Sequence, residues 1–234
     1  MIGTIINIAA VVIGGAAGSL LGGRLPDRLR KTIISGLGLF TLAYWLQNFL
    51  QTKNAMVVLG SLLLGILLGE WLQIEDGLQR VGGLLEKRLP GRAGEVNGRF
   101  IRGFMTASLV FCVGPMAILG SIQDGLTGNF ATLAIKAVLD GFGALAFASS
   151  LGVGVIASAL VILVYQGGIS LMATQVQAVV TPAMMTEITA TGGVLLLGVA
   201  ISGILEIKKM RVGNFLPALL IAPIIVAVLT ALQK

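Results

Sequence analysis

Eight apolar runs, at about 2–23, 33–50, 55–73, 103–122, 131–150, 154–175, 188–206 and 214–232, take up most of this chain. Nearly all are as long as the roughly 20 residues a helix needs to cross the hydrocarbon core of a bilayer. In lipid every backbone N–H and C=O must be satisfied within the protein, which leaves helices or closed barrels. The runs are continuous, whereas barrel strands alternate in polarity along their length. The expected fold class is therefore an all-α polytopic membrane protein of about eight transmembrane helices. Composition closes the soluble alternative: 56% of the residues are hydrophobic and 11% charged, against about a quarter charged in an ordinary soluble domain.

The net charge of +6 could point to nucleic acid, so its distribution decides. Arg24, Arg28, Arg30 and Lys31 follow the first run; Arg80, Lys87, Arg88, Arg92, Arg99 and Arg102 follow the third. Lys208, Lys209 and Arg211 follow the seventh, so thirteen of the 16 basic residues fall on one face of an eight-span chain. The opposite loops hold Lys53, and Lys234 ends the chain. The positive-inside bias makes the basic face cytoplasmic. Both termini are then on the outer side of the membrane, and no nucleic-acid partner is expected. Seven spans would put the 207–212 cluster on the wrong side.

The segment after the third run carries Ile74, Leu78, Val81 and Leu85 at helical spacing among charges. That pattern predicts a short amphipathic helix on the inner membrane surface, ending near Pro90 and Gly91.

Internal similarity predicts an inverted repeat. "GAAGSLLG" (15–22) resembles "QGGISLMA" (166–173), and Pro26 and Pro182 stand the same distance ahead of Gly36 and Gly192. The first three and last three spans have opposite directions, as in transporter folds whose sites lie at the midplane between repeats. The expected organisation of 1–234 is repeat A at 1–75, a cytoplasmic amphipathic loop at 76–100, a central broken-helix hairpin at 101–152, and repeat B at 153–234.

Chemistry is scarce. The chain has no histidine, which removes the usual general base and the commonest metal ligand. Cys112 is the one cysteine, so no disulfide framework, metal cluster or cofactor is expected. A paired-aspartate enzyme would need Asp124, at the outer rim, to meet Asp140, and no enzymatic activity is expected. What remains is a set of polar groups inside apolar runs. Gly114-Pro115 falls in the fourth run, where proline removes a donor and breaks the helix. Lys136 and Asp140 are one helical turn apart in the fifth run, with Asp140 near the bilayer centre. A lone charge there costs about 2.5–3.5 kcal/mol even on a lenient scale, and intramembrane charges generally mark solute or proton paths.

The candidate site is Asp140, Lys136, Gly114, Pro115, Asp124 and Gln166, with the ion pair expected against the proline break and Lys136 leaning outward. Tyr165, Gln166, Gly167 and Gly168 are expected to interrupt the sixth span. Glu70, Glu187 and Glu206, at span ends, are expected to be solvated. Pro217 and Pro223 are expected to kink the last span. Gly14, Gly18 and Gly22 form a small-residue stripe suited to helix packing, within the chain or against a second copy.

Two functions compete on these residues: a secondary transporter or channel-like carrier of a small, charged or neutral solute, and a structural or regulatory membrane subunit working through helix contacts. The partners expected are membrane lipid, a small solute or ion, and a second copy of the chain.

The segments "FCVGPMAILGSIQDGL", "KAVLDGFGALAFASSLGVGV", "YQGGISL", "TATGG" and "NFLPALLIAP" together resemble the bacterial integral membrane family called domain of unknown function 554, the YdfK/YqgA type. The resemblance covers essentially the whole chain. It implies a prokaryotic cytoplasmic-membrane protein and carries no activity with it.

Overall fold

The computed structural model describes residues 1–22, 26–87 and 98–232. Arg24, Arg88, Arg92, Lys234 and the expected helix end at Pro90 and Gly91 lie outside the described residues. The described chain is helical, in the order α1 (Ile2–Gly22), α2 (Asp27–Phe49), α3 (Ala55–Leu72), α4 (Ile74–Lys87), α5 (Arg99–Cys112), α6 (Pro115–Thr127), α7 (Ala131–Leu151), α8 (Gly154–Leu171), α9 (Ala173–Val179), α10 (Pro182–Val199) and α11 (Ala218–Leu232). A π-turn at Ala200–Ile204 extends α10, and a 3₁₀ turn at Val212–Phe215 leads into α11.

Among the described residues, six helical segments are long and apolar enough to cross a membrane: α1, α3, α7, α8, α10 with its π-turn, and α11 with the turn before it. A seventh is the pair α5 and α6, bent by 63°. The bend sits where the sequence puts it. Val113 and Gly114 are extended, because a residue before proline is driven out of the helical region. Pro115 then opens α6 at its first position, where its missing N–H is harmless. Asn54 caps α3 through the Met56 N–H, and Thr181 caps α10 through the Met184 N–H.

Close backbone approaches fix the directions of the helices. An added Cβ at Gly14, Gly18 or Gly22 of α1 would strike the carbonyls of Gly141, Leu145 and Ser149 of α7. The two helices therefore run parallel, in step by four residues, and only glycine admits that spacing. The α5–α6 pair likewise runs parallel to α8: Gly154 meets Phe100 at one end, and Gly125 meets Ser170 at the other. By contrast α2 and α10 are antiparallel, with Gly38 near Leu205 and Gly193 near Trp45 and Phe49. The same holds for α3 and α11, where Gly65 meets Ala218 and Gly69 meets Asn214.

Because α7 starts at the end of the bundle where α1 starts, the bent pair must cross the bundle rather than return to its own side. Arg102, Lys208, Lys209 and Arg211 gather at the opposite, basic end, where Arg102 pairs with Glu206, and Arg211 with Glu70 and Asp76.

Several expectations are corrected. The sixth run forms a helix that is continuous through Tyr165, Gln166, Gly167 and Gly168 and ends at Leu171; glycine in a lipid-embedded helix need not break it when the backbone bonds persist. Span 2 begins at Asp27, ahead of its apolar run. The 101–152 segment folds back on itself, with Gly120 of α6 against Leu133 of α7 and Gly143 of α7 against Phe111 of α5, and each arm also seats on a further helix, α7 on α1 and α5–α6 on α8. Glu187 is 3% exposed rather than solvated, and it accepts hydrogen bonds from the Thr52 hydroxyl at 2.6 Å and the N–H groups of Lys53 and Asn54. This latch ties the α2–α3 turn to α10. Glu70 and Glu206 are exposed as expected, each in an ion pair.

Candidate functional site

The middle of the bundle is apolar. Phe111, Cys112, Ala144, Phe147, Val155 and Ile162 are buried together around Val11. Against this background stands one polar cluster, built by α1, α7 and α8. Lys136 and Asp140 project from one face of α7, and the Lys136 Nζ donates to Asp140 Oδ2. The Asn7 amide of α1 donates to the same oxygen at 3.0 Å and to Gln166 Oε1 of α8 at 3.3 Å. Asn7 and Gln166 are 0% exposed, Lys136 6% and Asp140 8%.

Each helix presents its residue for a readable reason. The α1 glycine stripe brings the α1 backbone onto α7, and Asn7, two turns before Gly14, lies on that same face toward the pair. Gln166 comes from the buried face of α8, which also carries Ser158, Ile162 and Ser170. The carboxylate fixes the orientation of the Asn7 amide, because an acceptor needs its NH₂ side. The ammonium and carboxylate neutralise each other, and two amides surround them. Such a group of side chains can hold a small polar molecule or pass a proton.

Of the six candidate residues, the structure unites Lys136, Asp140 and Gln166. Gly114 lies beside Trp45 of α2, two residues after Cys112, which is within electrostatic reach of both charges; the pair bonds Asn7 of α1, and Asn7 in turn donates to Gln166 of α8. Lys136 does not lean outward, since its carboxylate partner one turn away holds it buried. Asp124 is buried at the end away from the basic cluster, where it accepts the Gly3 N–H at 3.1 Å and lies 3.2 Å from the Met1 amine. It does not meet Asp140. Asn7 was missed by reading the sequence. Its one signal was an amide within a run otherwise free of strongly polar side chains.

At the basic end a cavity of about 610 Å³ opens between α4, α5, the π-turn and residues 206–212. Glu75, Arg102, Glu206, Lys209 and Arg211 line it, and Met105, Leu109 and Val199 lie deeper. The π-turn widens α10 here, as such turns do at functional sites. Ser202 within it accepts the Met210 N–H at 3.0 Å. Glu206 adopts φ of 55°, a left-handed conformation costing a side-chain-bearing residue roughly 1–2 kcal/mol. The hydrogen bonds it donates to Asp76, reinforced by the charges of Asp76 and Glu70, hold the exposed Arg211 guanidinium above its ordinary pKa. A smaller cavity of about 120 Å³ shares Met105 and Leu109 with the first and reaches Ser108, Cys112 and Tyr165, next in sequence to Gln166.

A bundle of apolar helices with one broken crossing and a buried charged cluster defines a polytopic helical membrane protein. The comparisons assign it to a family. A family model described as "Protein of unknown function (DUF554)" matches residues 2–227, and the chain belongs to that family. It is 34% identical over 232 residues to "Uncharacterized protein YqgA" of Escherichia coli (strain K12), covering 99% of this chain and 98% of that one. It is 32% identical over 235 residues to "Uncharacterized membrane protein YdfK" of Bacillus subtilis (strain 168), with 99% and 98% covered. No solved structure matches the chain.

Proposed function

We propose that this protein is a secondary transporter or channel-like carrier of a small solute across the bacterial inner membrane, working through Asn7, Lys136, Asp140 and Gln166. The observation that carries the reading is the burial of that ionic cluster between three helices in the middle of an apolar bundle. A purely structural role would be served as well by apolar side chains, because buried ion pairs contribute little net stability. The cavity at the basic end supplies a route of approach from one side. The competing view, a subunit acting through glycine-mediated oligomer contacts, loses its main support because Gly14, Gly18 and Gly22 are occupied by α7 of the same chain.

In this reading α2, although less apolar than the others, completes eight spans, and both termini are periplasmic. Two inverted repeats are supported by the pairings. A two-fold axis in the membrane plane that exchanges α1 with α8, α2 with α10, α3 with α11, and α7 with α5–α6 reproduces both parallel seatings and both antiparallel pairs. The site then lies between repeat mates α1 and α8, where transporters of this type bind their cargo.

The test is flux. Purified protein in proteoliposomes, offered a panel of small cationic, anionic and zwitterionic solutes, should move at least one of them. Asp140→Asn should abolish proton or cation coupling while the protein stays folded. Folded wild-type protein that moves no solute in the panel and leaves the membrane potential and internal pH unchanged would count against transport.

A further inference from the structure

Four buried side-chain atoms that lack a hydrogen-bond partner occupy one corner of the molecule: Thr4 Oγ1, Asn7 Oδ1, Ser121 Oγ and Gln166 Nε2. Neighbouring contacts tie them together. Thr4 and Asn7 lie one turn apart on the buried face of α1. Ser121 lies one turn before Asp124 on α6, and Asp124 accepts the N–H of Gly3, next to Thr4. Ser170 donates to the Ser121 carbonyl at 3.0 Å and stands one turn from Gln166 on α8. The polar groups therefore run from Asp124 at the end away from the basic cluster, inward past Thr4, Ser121 and Ser170, to Asn7, Gln166 and Asp140.

An unsatisfied buried polar group costs about 1–3 kcal/mol, and native proteins rarely leave one without a protein or water partner. Four such atoms on facing turns of three helices call for water. They suit it: one accepts, one donates and two hydroxyls do either, and a buried water takes two to four such partners.

We propose that this corner is a hydrated file that carries protons from the Asp124 end to Asp140, so that the coupling ion of the site is the proton. The proposal rests on the transport reading for its purpose but not for its test. A metal cation fits the same oxygen poorly, because Asp140 Oδ2 already receives the Lys136 ammonium and the Asn7 amide, and an added cation would sit against both. A proton needs no coordination shell. It passes from bulk water along the file to the Asp140 carboxylate, and the Lys136 ammonium is released from the ion pair. The groups facing Asp140 are few: Lys136 on α7 itself, the neutral Asn7 and Gln166 on α1 and α8, and the Cys112 thiol of α5, within electrostatic reach of both charges. Tyr165 of α8 shares a small cavity with Cys112, and Asp124 of α6 stands at the file's far end.

The experiment uses the full chain reconstituted with one orientation in lipid vesicles. Infrared spectroscopy follows the protonated-carboxyl stretch that Asp140→Asn removes, while pH is dropped on one face at a time. The expected result is a prompt rise of that band when the Asp124 side is acidified. Thr4→Val with Ser121→Ala should slow the rise at least tenfold, and Thr4→Ser, which keeps the hydroxyl, should not. A band that responds only from the basic end, a rise equally fast in the Thr4→Val/Ser121→Ala variant, or no Asp140 band at any pH where the protein is folded overturns the proposal. Solute flux does not enter this readout, so a protein that transports nothing can still pass or fail it.

Discussion

Replacing Lys136 by methionine removes one charge and little volume, and its consequence can be worked through from the geometry. Asp140 would keep the Asn7 amide at 3.0 Å but lose its ammonium partner. With Lys136 6% and Asp140 8% exposed, bulk water does not reach the carboxylate, and a few bound waters replace the ammonium only in part. Breaking a buried pair by removing one member costs about 3–5 kcal/mol, and Asp140→Leu, which strands the ammonium, should cost a similar amount. The double variant strands no charge. It loses the Asn7–Asp140 hydrogen bond, about 1 kcal/mol, and should fall within about 2 kcal/mol of wild type. Equilibrium unfolding in mixed micelles, followed by the fluorescence of Trp45 and Trp71, gives all four corners of the cycle. Additive losses, with the double variant as unstable as the two single losses combined, would mean that the charges do not face each other in a low-dielectric interior.

Gly18→Val should prevent α1 from seating on α7, because its side chain would meet the Leu145 carbonyl; a loss of at least about 1–3 kcal/mol is expected in the same unfolding assay, whereas Gly36→Ala, with open space around it, should change little. Glu187→Ala should release the Thr52 hydroxyl and the Lys53 N–H from the latch, while the Asn54 N–H keeps the Thr52 hydroxyl; with Lys53 and Asn54 exposed to water the loss should be about 1 kcal/mol, read as faster amide exchange at 53. For topology, Lys209→Cys in a Cys112→Ala background should react with an impermeant maleimide from the cytoplasmic side only, and Lys53→Cys from the periplasmic side only.

The transmembrane character of the chain was legible because lipid imposes its demand locally: each run must be apolar over its own length. The break at Gly114-Pro115 and the amphipathic helix from Ile74 were legible for the same reason, since proline geometry and helical periodicity act within a few residues. Lys136 and Asp140 declared themselves as charges in an apolar run, and their partnership follows from one-turn spacing. Asn7 did not, because its importance depends on α1 lying parallel to α7 at glycine spacing, a pairing of segments more than a hundred residues apart. Glu187 was misread for a related reason. A carboxylate near a span end is solvated by default, and only the folded α2–α3 turn brings it two backbone donors and a hydroxyl. The packing of the broken span was legible only in part: adjacency in sequence suggested a hairpin, and α5–α6 does touch α7 at Phe111 and Gly120, but the seating of α7 on α1 and of α5–α6 on α8 depends on glycines distant in sequence.

Whether the Lys136–Asp140 pair works in transport or only in packing is decided by the double variant Lys136→Met/Asp140→Leu. Once wild-type flux of any solute is established in proteoliposomes, the variant should reconstitute as a folded protein, unfold close to wild type, and carry none of that flux. A double variant that is equally stable and transports at the wild-type rate would contradict a transport role and reduce the pair to a packing device.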